Sequence, residues 1–196
     1  MLSPEQLFLS YAYSCGEVQQ KHLGAITEEE MDRTRRMLDG KERVDLAFLK
    51  EKYGAAFHRL DLVAAATGLP QMSAEALDAY FILYHNLFID ARDGSYAKLP
   101  KTICDYCKVH VVRVKQLIRI KPQQQLFYRF EPFENEPILQ GGVSGELVPD
   151  AKVGDLIVIH QAWAVKRIDE QYYLGLKERY GKTPLYEQLT RGIAPT

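Results

Sequence analysis

Between residues 74 and 90, apolar side chains recur at Leu77, Tyr80, Phe81, Tyr84, Leu87 and Phe88. This i, i+3, i+4, i+7 spacing puts one stripe on a helix. Ser73 stands where a cap belongs, so the strongest helix of the chain is predicted to start there. An aromatic stripe of this kind reads as core rather than as a cofactor box. Weaker helical stretches precede it. Ser3-Pro4-Glu5-Gln6 joins a capping box to a proline at the first helical position, and Leu7, Phe8, Tyr11 and Ala12 then share a face. Thr27-Glu28-Glu29-Glu30 is a second box, whose helix should run to Leu38 and end at Gly40. Two more helices are expected within Val44–Tyr53 and Ala55–Thr67, the latter closed by Gly68 and Pro70.

After residue 100 the period changes. Lys108–Lys121 is rich in Val and Ile and holds no Gly or Pro, and its alternation slips at Val111-Val112, which predicts a bulge or bend. Gln125–Phe130 reads as a second strand. Pro132 and Pro137 punctuate a loop, Gly141-Gly142 a turn, and Val143–Val148 a short strand. Gly154-Asp155 leads into Leu156–Val165, read as one nearly continuous strand. Asp169 caps a last helix that should end near Gly181. Short strands punctuated by Gly and Pro, followed by a helix, predict a small β-barrel. The expected fold class is α+β, with an all-α domain over 1–98 and a barrel with a C-terminal helix over 99–196. The junction falls within 91–103, at Ala91-Arg92-Asp93-Gly94-Ser95 and Leu99-Pro100.

Composition narrows the function classes. At 46% hydrophobic and 26% charged over 196 residues, the chain has the profile of a globular protein. Its net charge of −1 excludes a wholly basic nucleic-acid coat and an acidic tail. The charge is uneven, with 11 basic against 15 acidic residues in 1–100 and 14 against 11 in 101–196. No apolar run approaches the roughly 18 residues a membrane span needs. The start, Met-Leu-Ser-Pro-Glu-Gln, lacks a basic n-region, so a cytoplasmic location is expected. Three cysteines do not make a disulfide framework. Phosphate-binding glycine loops, His-Glu-x-x-His and Gly-x-Ser-x-Gly are all missing from the sequence, which favours a non-enzymatic role.

Two segments carry a family resemblance. One is Cys107-Lys108-Val109-His110-Val111-Val112-Arg113-Val114, a Cys followed by alternating apolar residues. The other runs from Val153-Gly154-Asp155 through Leu156-Ile157-Val158-Ile159-His160 to Gln161-Ala162-Trp163-Ala164-Val165-Lys166-Arg167-Ile168. Together they resemble the HypC/HupF family of nickel–iron hydrogenase maturation chaperones, over residues 104–180. The helical-then-barrel layout, with Phe8-Leu9-Ser10-Tyr11-Ala12-Tyr13 near its start, also resembles that of uncharacterised hydrogenase-associated bacterial proteins. The resemblance implies an OB-like barrel with a C-terminal helix. It implies a docking role toward a hydrogenase large subunit or a maturation protein, and an Fe(CN)2CO fragment held by the residues matching the family's Cys and His, here Cys107 and His160. A thiolate and an imidazole suit such an iron. Lys108 and Arg113, close in sequence, would favour the thiolate and, with Trp163, face the partner. The chain departs from the family in two ways: its Cys lies behind a hundred residues, and Val111-Val112 replace a Pro-Gly.

Each candidate also has a plainer reading. Cys107 could be an ordinary buried strand cysteine, and His160 a core histidine satisfied by one hydrogen bond. Cys104-x-x-Cys107 with His110 or His160 could hold zinc, although no second ligand pair follows. His110 is expected to face solvent, and Cys15 and His22 to be incidental. Trp163 could cover the barrel end. Lys101, Lys108, Arg113, Lys115, Arg119 and Lys121, with Tyr106, Phe127 and Tyr128 as stacking platforms, could bind single-stranded nucleic acid. The same residues could equally form a solvated, aggregation-resistant strand face, the reading that the weak overall charge favours.

Overall fold

The structure, a computed structural model, describes residues 2–18, 20, 24–121, 125–134, 138 and 141–193. His22 and Pro137 lie outside the described residues. Helices and a single sheet divide the chain, and its two compact units are residues 1–80 and 81–196. The division falls inside a helix, earlier than the change in composition at 98/99.

The first unit is helical. It holds α1 (Pro4–Val18), α2 (Glu28–Leu38), α3 (Leu46–Lys52), α4 (Gly54–Thr67) and α5 (Ala74–Asp78). The local signals work as capping chemistry requires. Ser3 and Gln6 exchange bonds at the start of α1, and Thr27 and Glu30 do so at α2. Ser73 Oγ accepts from Ala76 N at α5. Gly68, with φ of 71°, closes α4 in the left-handed conformation a side chain would resist. Helix α1 does not show a single buried face. Leu7, Phe8, Leu9, Ser10, Tyr11 and Ala12 are all buried, so its middle is enclosed all round. Phe8 lies 4.4 Å from Phe57, ring centre to ring centre, and edge-on to Tyr53 at 6.1 Å. Buried Tyr11 donates its hydroxyl to buried Asp78 at 3.0 Å.

The aromatic stripe continues from α5 through a π-helical turn, Ala79–Tyr84, into α6 (His85–Asp90). In the second unit α6 is followed by a 3₁₀ turn (Gly94–Lys98), α7 (Lys101–Tyr106), five strands and two helices. The strands are β1 (Val109–Ile120), β2 (Gln125–Pro132), β3 (Val143–Ser144), β4 (Leu156–His160) and β5 (Trp163–Ile168). The helices are α8 (Glu170–Tyr180) and α9 (Pro184–Thr190). The strand order is β1-β2-β3-β5-β4, and β4 returns to β1 so that the sheet closes. All pairs are antiparallel except β3–β5, which meet in parallel at Ser144 and Trp163. Val112, Val114, Leu126, Tyr128, Val143, Ile157, Ile159 and Ala164 fill the interior.

Four strand-level expectations are corrected. The irregularity in β1 falls at Lys115, between Val114 and Gln116, not at Val111-Val112. β3 stops after Ser144 because Gly145 turns against Tyr128, where a Cβ would stand 2.6 Å from the ring. Leu156–Val165 is not one strand but a hairpin, with His160 opposite Trp163 and the turn at Gln161-Ala162. Gln161 takes a φ of 51°, so a residue without turn chemistry occupies a left-handed position. His110 is only 5% exposed, because it lines a cavity with Glu134 and Tyr173 of α8 instead of facing solvent.

Asp169 caps α8 by accepting from Tyr172 N, as expected. Helix α9 was not anticipated, although Thr183-Pro184 is a cap followed by a first-turn proline. Tyr84 Oη donates to Tyr180 O at 2.7 Å and lies 2.6 Å from Thr183 Oγ1, tying the end of the π-helical turn to the α8–α9 turn.

Candidate functional site

Cys107 and His160 come together through their elements. Cys107 is the C-cap of α7, its N–H bonded to Ile103 O, and β1 begins two residues later. β4 runs antiparallel to β1 with His160 opposite Val109, which places the strand-end histidine beside the cap. His160 Nε2 donates to the Cys107 carbonyl at 2.9 Å. A carbonyl only accepts, so this nitrogen carries the proton. The left-handed turn after His160 brings Gln161 over the thiol, where its amide donates to Cys107 Sγ at 3.4 Å.

These groups are enclosed. His160 is 0% exposed and Cys107 and Gln161 2%. Burial pushes the Cys107 thiol up to about 12, with Cys104 adding to the shift and the Gln161 amide opposing it. Lys108 and Arg113 do not favour a thiolate here. Lys108 Nζ pairs with Asp90 at 2.7 Å, and Arg113 donates to Gly154 O at 2.9 Å and reaches Glu170. Cys104 is also buried. It receives Arg92 Nη1 at 3.2 Å, while the same guanidinium donates to Ala97 O and Leu99 O. Burial raises the Cys104 thiol and Arg92 opposes the shift. Among the described residues, the only cluster of three or more metal-competent side chains includes neither Cys104 nor Cys107. Trp163 is half-buried at the start of β5.

Two residues were absent from the sequence reading: His85, beside His160, and Tyr96, which bonds His85. His85, 1% exposed, opens α6, with its ring centre 5.0 Å from that of His160 and at 75° to it. Tyr96, on the 3₁₀ turn, places its hydroxyl 3.1 Å from His85 Nε2. Phe81 packs on both imidazoles at 5.8 and 6.3 Å. His85 sat inside the aromatic stripe, and its one sequence signal was a polar ring four residues after Phe81.

The basic face is largely neutralised. Lys101 pairs with Asp105, Lys108 with Asp90, Arg113 with Glu170 and Lys115 with Glu131. Tyr128 is no stacking platform. It is fully buried and donates its hydroxyl to Val148 O. Next to β1, a cleft of about 300 Å³ is lined by Asn86, Asp90, Lys108, His110, Glu134 and Lys177, among others. Its walls carry the Lys108–Asp90 pair and a Lys177–Glu134 pair at 2.7 Å. No described helix is long and apolar enough to cross a membrane. Comparisons of the chain with family models, with curated proteins and with solved structures gave no significant match.

Proposed function

We propose that the protein is a non-enzymatic accessory factor in nickel–iron hydrogenase maturation or assembly. Its HypC-like, OB-like barrel would dock a hydrogenase large subunit or a maturation protein. The observation that carries this reading is the bond from His160 Nε2 to the Cys107 carbonyl, 2.9 Å across the β1–β4 end of the closed sheet. Two residues far apart in sequence, picked out by the family's Cys-strand and Gly-Asp-strand-His patterns, meet at one end of one barrel. The strand order β1-β2-β3-β5-β4 and the helix that follows β5 agree with the same reading.

Docking would use the rim around this end, where Lys108 and Trp163 stand, with Arg113 further along β1 opposite Leu156. An Fe(CN)2CO fragment is the cargo in this reading. Taking it on Cys107 requires the thiol to give up its proton and the Gln161 amide, and so to turn out from its enclosed position.

The test is oxygen-free co-purification from a host that expresses the maturation genes, read by mass spectrometry of partners and by infrared spectroscopy. The expected result is a hydrogenase large subunit or maturation protein in stoichiometric amount, with cyanide and CO bands that vanish in Cys107→Ala. Recovery of neither partner nor bands would overturn the proposal.

A further inference from the structure

The two buried histidines of the second unit carry more than packing. His160 holds its proton on Nε2, so the lone pair of the neutral ring is on Nδ1. His85 has its Nε2 against the Tyr96 hydroxyl, and when that hydroxyl accepts, the lone pair of His85 is likewise on Nδ1. A ring nitrogen of His85 and one of His160 lie within 4.8 Å of each other. Metal bonds of about 2.0–2.1 Å from two imidazoles set the nitrogens about 3.3 Å apart in a tetrahedral site. The outer hydrogen bonds have the form that metal-binding histidines use. One ring nitrogen is held by a carbonyl or hydroxyl, which fixes the tautomer and aims the other nitrogen.

Nitrogen donors choose zinc, nickel or cobalt over magnesium or calcium.

We infer that His85 and His160 form a binding site for one divalent transition-metal ion, oriented by the Tyr96 hydroxyl and the Cys107 carbonyl. Water or ligands that arrive with the ion fill its other positions. The inference does not depend on a role in hydrogenase maturation. It concerns the protein alone with a simple ion, whereas that role is judged by partners.

The test starts from full-length protein stripped with a chelator and titrated with Co²⁺. Visible d–d absorption should saturate at one ion per chain and be displaced by Zn²⁺. Long-range ¹H–¹⁵N spectra of the unmodified protein with Zn²⁺ should shift two histidines, at Nδ1. His85→Gln and His160→Gln should each abolish saturation. Tyr96→Phe should weaken binding about 10–100-fold without abolishing it, as loss of an orienting partner does. His58→Gln, at an exposed position, should change nothing. Absence of stoichiometric binding, or ring shifts at other histidines, would overturn the inference. The spectra on unmodified protein decide the matter even if a glutamine variant misfolds.

Discussion

Asn86 completes the edge of β1 as a strand would. Its Nδ2 donates to the Val109 carbonyl at 2.7 Å, and its Oδ1 accepts from the Val109 N–H at 2.8 Å. One side-chain amide thus serves both backbone groups of the first strand residue and pins α6 to the barrel. Asn86→Ala should destabilise the protein by about 1–3 kcal/mol, because two partly buried backbone groups lose their partner. Urea unfolding would measure it. A shift under 0.5 kcal/mol would mean that water replaces the amide without cost.

Cys107 and Cys104 should be inert to thiol reagents in the folded state. Both are at most 3% exposed and both thiols are raised by burial, Cys107 to about 12. Alkylation at pH 7 followed by peptide mapping should modify them only after denaturant is added. Half-buried Cys15 should react earlier. Prompt native labelling of Cys107 would show that its enclosure is not the resting state.

Gly16 has no room for a side chain. A Cβ there would stand 2.5 Å from Tyr53 Oη and 2.8 Å from Met31 Sδ. Gly16→Ala should cost about 1–3 kcal/mol through overpacking. Adding Tyr53→Phe removes the nearer atom, so the double variant should regain part of the loss. Additive effects in a double-mutant cycle would argue that the contact with Tyr53 is not the cause.

Acid should weaken the protein below the ordinary carboxylate range. Glu30 is held below its usual 4.5 chiefly by the Lys52 ammonium, and Glu42 by the Arg33 guanidinium. Asp45 is held below its usual 3.8 first by the Phe48 N–H and then by Arg33. Because the folded state binds these protons less readily than the unfolded one, the stabilisation is present above those ordinary values. It is lost as pH falls through the lowered ones. The urea midpoint should be flat from neutrality to about pH 5 and then decline. A midpoint that rose on acidification would contradict the sign. Neutral-pH stability should also fall modestly with added salt, since these pairs are only partly buried.

The parts of the fold legible in the sequence are those decided within a few residues. Ser3, Thr27, Ser73 and Asp169 cap helices because a hydroxyl or carboxylate meets an N–H two or three positions on, and Gly68 closes one for a similarly local reason. The change from helix to strand after residue 100 was also readable. The hairpin at Gln161 was not, since its left-handed φ is imposed by the pairing of β4 with β5, not by turn chemistry. The unit boundary was misplaced because α6 and α7 share the helical composition of the first unit, yet hold the second through Asn86, Tyr84 and Arg92. His85 and Tyr96 gave no usable signal. Only tertiary packing brings His85 to His160 and Tyr96 to His85.

The order in which the barrel closes bears on its synthesis. β1 pairs with β2 along most of its length, but Val109–Arg113 wait for Leu156–His160. At about 5–20 residues per second, the chain between β1 and the end of β4 takes a ribosome several seconds to make. For that interval the nascent protein carries one open, mostly apolar strand edge, Val109-His110-Val111-Val112, with Arg113 as its single charge. This stretch is where a growing chain would most need a chaperone's cover or would meet a second copy on the same message, and release comes only once His160 has left the exit tunnel.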